Sequence, residues 1–334
     1  MLLVVNAGSS SLKVALFDGA VQVRSGQVGE IGTDGHRAAL ERLLTDGFGQ
    51  GLTAAAHRVV HGGAELTATC RIDAGVLAQI EACVPLAPLH NPANLAAIRA
   101  LAALAPDLPQ FASFDTAFHA TNPEVARRYA LPAQVEAAGI RRYGFHGLSY
   151  AAIVRKVQQI SDIGLPNRLL ALHLGNGASI CGIVDGRSVA TTMGYSPLDG
   201  LTMGTRAGAM DGNAVLRLAD LYGIAGAARI LNRESGLLGL GGASDMRALH
   251  VAGTEEARFA VAHFCYWAMR HAGSMVAAMG GLDAVAFTGG IGENDSFVRA
   301  EILKGLAFVA AGKPVFVIAA EEERQIAIEA LALM

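Results

Sequence analysis

Two stretches of the chain carry the same order of apolar, small and polar positions. Leu2 to Gly19 reads LLVVNAGSSSLKVALFDG, and Leu169 to Gly186 reads LLALHLGNGASICGIVDG. Each predicts an apolar strand, a turn of small residues, and a second strand closing on Asp-Gly. One slides onto the other without a gap, placing Gly8 on Gly175 and Asp18-Gly19 on Asp185-Gly186, at an offset of half the chain. The pattern predicts an internal duplication, with two related domains facing each other across a cleft and each presenting one glycine-rich turn.

Helical periodicity fills the intervals. Asn91-Pro92 predicts a helix start with the asparagine as cap; Leu95, Ile98 and Leu101 face inward, and Pro106 ends the helix. Asn122-Pro123-Glu124 predicts another start by the same device. Ser149 predicts a cap for an amphipathic stretch carrying Ile153, Val154 and Val157. Thr254 to Met279 reads as a long, largely buried helix, and Glu321 to Met334 as a closing one. The pattern breaks between Asp162 and Asn167, just before the second strand unit. Strands alternating with helices argue for an α/β fold.

Composition narrows the function classes. Hydrophobic residues make up 52% of the 334 positions and charged ones 16%, ample for two packed cores. With a formal net charge of −3 and no block of Lys or Arg, there is no electrostatic support for binding nucleic acid or a membrane surface. Cys70, Cys83, Cys181 and Cys265 are scattered without a Cys-x-x-Cys pair, as in core residues of a reducing compartment. The apolar start stops at Asn6, too short for a signal peptide or membrane span. The chain reads as a soluble, cytoplasmic protein.

Several polar segments interrupt this apolar background. Asn6-Ala7-Gly8-Ser9-Ser10-Ser11-Leu12-Lys13 joins small residues that admit phosphate to a lysine and a hard-oxygen donor. His173-Leu174-Gly175-Asn176-Gly177 and Gly289-Gly290-Ile291-Gly292-Glu293-Asn294 are glycine-rich turns after apolar strands, the second leading into a helix. Neither a Walker P-loop nor a Rossmann fingerprint is present, and each loop alone also suits a structural turn. In His57-Arg58-Val59-Val60-His61 the strand context disfavours zinc, whereas Arg58 on an apolar strand calls for an anionic partner. Asp115 is a turn aspartate or a functional one; His146 is a core histidine or a functional one. Arg206 stands alone between glycines, and Asp245-Met246-Arg247 opens with a potential helix N-cap.

Taken together, these segments resemble the acetate kinase family, a branch of the sugar kinase, Hsp70 and actin superfamily. The match runs in order through NAGSSSLK, HRVVHGG, APLHNP, FDTAFH, RRYGFHG, HLGNGAS, MGTRAG and FTGGIGEN. It implies two actin-like (ribonuclease H-like) domains: residues 1–148 on the acyl side, 149–320 on the nucleotide side, and 321–334 packing back on the first. It implies Asn6 and Glu322 as Mg²⁺ ligands, with Glu323 an alternative to Glu322 and Mn²⁺ an alternative metal. Lys13, His173 to Gly177, Asp245 to Arg247 and Gly290 to Asn294 would bind ATP or ADP. Arg58 would clamp the acid, and Val60, Leu89 and Pro197 would line its methyl pocket. Asp115 would be the active-site aspartate, expected to orient Arg206 or the metal shell, while His146 and Arg206 would stabilise the transition state.

The reaction implied is reversible transfer from ATP to acetate, giving acetyl phosphate and ADP in a homodimeric enzyme. Propionate kinase is the close rival, and a non-catalytic nucleotide-binding module a rival of another class. The chain is shorter than the family pattern between Gly19 and His57 and between Gly305 and Val315. Ala319-Ala320 replaces a Pro-Thr turn.

Overall fold

A computed structural model of the chain describes residues 1–8, 10–31, 35–162 and 164–334. Ser9 of the first loop and Ile163 of the expected boundary lie outside the described residues. Two compact units emerge. The first comprises residues 1–120, 145–152 and 321–334; the second comprises 121–144 and 153–320.

The first unit is built on β1 (Leu2–Ala7), β2 (Ser11–Asp18), β3 (Val21–Gly29), β4 (Ala54–Val59), β5 (Cys70–Arg71) and β6 (Gln110–Phe114). Their order is β3-β2-β1-β4-β6-β5. β1 runs antiparallel to β2 and parallel to β4, which runs parallel to β6. Alternate side chains serve opposite faces, as a pleated strand requires. Leu3, Val5, Leu12 and Val14 join Leu40 and Leu101 on one side. Leu2, Val4, Ala15 and Phe17 join Leu148, Ile326 and Ala330 on the other. With both faces covered, β1 and β4 need the near-continuous apolar runs seen in the sequence, whereas the edge strand β3 is exposed. The closing helix, Glu322–Leu331, packs on β1, β4 and β6.

The second unit repeats the arrangement with β7 (Arg168–Leu174), β8 (Ala178–Val184), β9 (Arg187–Thr191), β10 (Ala284–Thr288) and β11 (Val315–Val317). Their order is β11-β10-β7-β8-β9, with two antiparallel and two parallel pairings against three and two in the first sheet. Even the irregularities correspond: pairing shifts between Leu16 and Phe17 in the first sheet and between Gly182 and Ile183 in the second. The gapless overlay fails in one respect. Ala7 pairs with Leu12, but Leu174 pairs with Ala178, so the second turn is one residue tighter. The turn bond changes accordingly, from Gly8 N to Ser11 O in the first to Gly175 N to Gly177 O in the second.

The long helix spans Glu255–Met279 with Thr254 accepting from Ala257 N, as expected. Three expected caps are corrected. The helix Asn91–Leu104 has His90 at its N-cap position without a side-chain cap bond, and Asn91 lies inside it. Pro123, not Asn122, precedes the single turn Glu124–Arg127, and Asn122 accepts from Ser188 Oγ at 2.7 Å. The helix Gly147–Ile160 begins before Ser149, which is buried within it. In each case a tertiary partner or a preceding residue outweighs the local capping preference.

Candidate active site

In the first unit, the carboxyl ends of β1, β4 and β6 deliver Asn6, Arg58 and Asp115 to one place. Arg58 donates from Nε to Asp115 Oδ1 at 2.9 Å and from Nη2 to Oδ2 at 2.6 Å. Its Nη1 lies 3.4 Å from Asn6 Oδ1. The anionic partner that Arg58 required is therefore Asp115. The Asp115 carboxylate thus orients Arg58. Burial works against the Arg58 charge, but Asp115 and the nearby Glu322 and Glu323 outweigh it and hold the guanidinium above its ordinary value. Burial also pushes the Asp115 carboxyl up, with Arg58 pulling the other way.

The closing helix brings both candidate glutamates here. Glu322 Oε2 lies 3.9 Å from Arg58 Nε, and Asn6 Nδ2 donates to Glu323 Oε1 at 3.4 Å. These donors are all hard oxygens, the kind Mg²⁺ takes while retaining waters and substrate phosphates. Among the described residues no three His, Cys, Asp or Glu are grouped to hold a metal by themselves. Lys13 faces Asn6 across the hairpin and is exposed.

His146 is placed by backbone contacts to this cluster. Gly147 N donates to Asp115 O at 2.8 Å, and a Cβ on Gly147 would come within 2.3 Å of that oxygen. Only glycine permits the approach. His146 itself has φ +60°, an uncommon conformation for a side-chain-bearing residue and one often kept at functional sites. His119 ties the same corner through Nε2 to Phe145 O at 2.9 Å. Val60 is buried, whereas Leu89 is 46% exposed.

His57 Nε2 meets Gln110 Oε1 at 2.7 Å, and His61 Nδ1 accepts from Gly63 N at 2.9 Å. Asn91 and Asn94, which sequence reasoning did not single out for the site, hydrogen-bond to the backbone on either side of the cluster. Two buried amides one turn apart on a sheet-facing helix were the available signal.

In the second unit, β7 and β10 pair in parallel up to His173 opposite Thr288. The loops His173–Gly177 and Gly289–Asn294 therefore leave the sheet side by side. Asn176 O accepts from Gly204 N at 3.0 Å, and a Cβ on Gly204 would lie 2.0 Å from Asn176 Oδ1. Ser244 O flanks the same glycine. Leu174 to Gly177, the Arg206 loop and the start of Asp245–Arg247 thus adjoin. Asp245 is the N-cap of Met246–Ala252 and pairs with Arg247 at 3.0 Å. Glu293 Oε1 accepts from both Gly289 N and Ala320 N, each at 3.0 Å. Ala320, from the departed Pro-Thr position, is thereby tied to the glycine loop.

Arg206 differs from Arg58. Its Nη1 donates to Pro197 O at 3.0 Å and approaches Met203 Sδ at 3.5 Å, with no carboxylate partner among the described residues. Burial lowers its pKa from the usual arginine value. A desolvated cation with only neutral partners is prepared for an anion.

The Acetokinase family model matches residues 35–313. A curated acetate kinase of Methylocella silvestris is 39% identical over an alignment of 394 positions that covers 100% of this chain and 98% of the relative. The difference from 334 residues reflects the segments this chain lacks. The crystal structure of acetate kinase from Porphyromonas gingivalis superposes with TM-score 0.91 at 33% identity, covering 99% of both chains. A propionate kinase from Francisella tularensis gives TM-score 0.92 at 34% identity, covering 98% of both chains.

Proposed function

Since this chain belongs to the acetokinase family, we propose that it transfers a phosphoryl group reversibly from ATP to the carboxylate of acetate, giving acetyl phosphate and ADP. The observation that carries this reading is Arg206, desolvated, without a carboxylate partner among the described residues, and on a loop bonded to the glycine turn of β7. Acetate is ionised at neutral pH, so its oxygen attacks without a base. The difficulty is electrostatic, because one anion must approach another.

Arg58, held at two points by Asp115, orients the acid's carboxylate. Arg206 and His146 meet the negative charge of the transferring phosphoryl group; an arginine in this role is worth ~10³–10⁵ in rate. Lys13 and the loops His173–Gly177, Asp245–Arg247 and Gly290–Asn294 receive ATP, although Glu293 also has a structural bond to its own loop. Asn6, with Glu322 and Glu323, would hold Mg²⁺, which when bound neutralises charge on the nucleotide phosphates.

Val60 and Leu89 of the first unit would contribute apolar surface for the acyl methyl. The likeness to a propionate kinase favours a second reading with propionate as acceptor, because one methylene is worth only ~1–3 kcal/mol. Trapping acyl phosphate as the hydroxamate, with ATP, Mg²⁺ and each acid in turn, tests both readings. Acetate giving the highest kcat/KM supports the first; propionate doing so selects the second. ATP binding without product from any acid would leave a non-catalytic nucleotide-binding module.

The protein is further read as a cytoplasmic homodimer. Four free cysteines suit a reducing compartment. Leu216, Leu221, Tyr222 and Ile224 are exposed on Gly212–Arg229, as are Phe259 and Tyr266 on Glu255–Met279, apolar surface suited to a second copy. Sedimentation at equilibrium giving only the monomer mass would exclude the dimer.

A further inference from the structure

We propose that Asn94 is a positioning residue for acid binding, setting the separation of Asn6 and Arg58 where β1 and β4 stop pairing. The proposal rests on the acyl-kinase reading above.

The parallel register of β1 and β4 runs from Leu2 opposite Ala54 to Val5 opposite His57 and goes no further. The next residue on each strand is the one whose side chain enters the cluster: Asn6 on β1 and Arg58 on β4. Here the ladder parts, with no further β1–β4 pairing. Beyond the parting, Asn94 reaches in from its helix. Its Nδ2 donates to Ala7 O at 2.8 Å, and its Oδ1 accepts from Val60 N at 3.1 Å. It is 1% exposed. One planar amide thus replaces the missing rung of the ladder, and its width sets the gap.

Asparagine suits the task because its short side chain offers a donor and an acceptor side by side; aspartate offers two acceptors and leucine neither. Asn91 braces the next step, with His61 N donating to its Oδ1 at 3.1 Å and its Nδ2 donating to His61 O at 3.0 Å. Both of these hydrogen bonds of Asn94 are to backbone, at Ala7 O and Val60 N. Asn94 acts through the backbone beside Asn6 and two residues beyond Arg58.

Asn94→Ala, Asn94→Asp and, as a packing control on the same helix, Ile98→Val are compared with the parent for acid KM, kcat, ATP affinity and unfolding midpoint. Asn94→Ala should raise KM for the acid about tenfold while ATP affinity stays within about twofold. Ile98→Val should lower the midpoint without moving KM. Asn94→Asp retains the shape, so it also serves if the alanine variant does not fold. At pH 8 its carboxylate would oppose Ala7 O, and KM should be high. At pH 6 a protonated carboxyl, favoured by burial, would donate to Ala7 O and accept from Val60 N, and KM should return to within about threefold of the parent.

A folded Asn94→Ala with unchanged KM overturns the proposal. So does an Asn94→Asp whose KM follows the parent's pH profile. In either case an active parent leaves the acyl-kinase reading standing. A parent that forms no acyl phosphate removes that reading and the proposal with it.

Discussion

Arg58 and Asp115 meet through two parallel contacts, Nε to Oδ1 and Nη2 to Oδ2, with the aspartate side chain 3% exposed and the arginine 21%. Arg58 therefore serves the fold as well as its proposed role at the acid. Arg58→Ala strands a buried carboxylate, a change that costs about 3–5 kcal/mol. The unfolding midpoint in urea should fall accordingly, and the folded fraction should show a raised KM for the acid. A variant with unchanged KM would remove Arg58 from the clamp.

Arg206→Ala should behave differently. Its guanidinium has a carbonyl and a thioether as partners, so its removal orphans no buried charge. Stability and ATP affinity should hold, while kcat falls by ~10³ or more. A kcat within tenfold of the parent would end the transition-state assignment.

Gly147→Ala tests the corner that joins Asp115 to His146. The added methyl would meet Asp115 O at 2.3 Å, a contact with backbone that no rotamer relieves. Overpacking of this kind costs about 1–3 kcal/mol. Activity should fall further than the loss of folded protein explains, because His146 moves with the backbone. Thermal unfolding and kcat measured on the same sample would separate the two effects.

His57, His61 and His119 are held neutral by burial, each lowered from 6.5 to about 4, with the bonds to Gln110 and to Phe145 O only partly resisting for His57 and His119. The native value lies below the unfolded one, so below pH 6.5 the unfolded chain binds protons that the native state refuses. Their contribution is complete above about pH 6.5 and is lost as pH falls towards 4, by up to about 1.4 kcal/mol per histidine per pH unit. Urea midpoints should be level from pH 7 to 8 and decline below 6. A level curve down to pH 5 would contradict this.

Glu323→Gln should raise the Mg²⁺ concentration giving half-maximal rate by ~10–100-fold, the range for weakening a metal's protein partners. Glu322→Gln should also loosen Arg58, which it approaches at 3.9 Å, and so raise KM for the acid. EDTA should abolish turnover of the parent. An unchanged metal requirement in both variants would move the ion elsewhere.

The hairpins, the long helix capped by Thr254, and the closing helix were all legible from sequence because their signals are local. A strand buried on both faces must be apolar, and a tight turn must be small. The misread caps share one cause. Asn91 has the composition of an N-cap, but its amide serves His61, thirty residues away in the chain. The one-residue difference between the two turns was also hidden, because both overlays place glycine at the same position and only strand register distinguishes them.

Alternation and turn chemistry were enough for the sequence by itself to determine two repeated strand units. Tertiary structure alone decided which polar groups meet: Asp115 with Arg58, Glu323 with Asn6, and Asn94 with both parting strands. The physical reason is that a buried charge or amide takes whichever partner the packed sheet brings within about 3 Å. That partner comes from a strand or helix remote in sequence, and no local pattern specifies it.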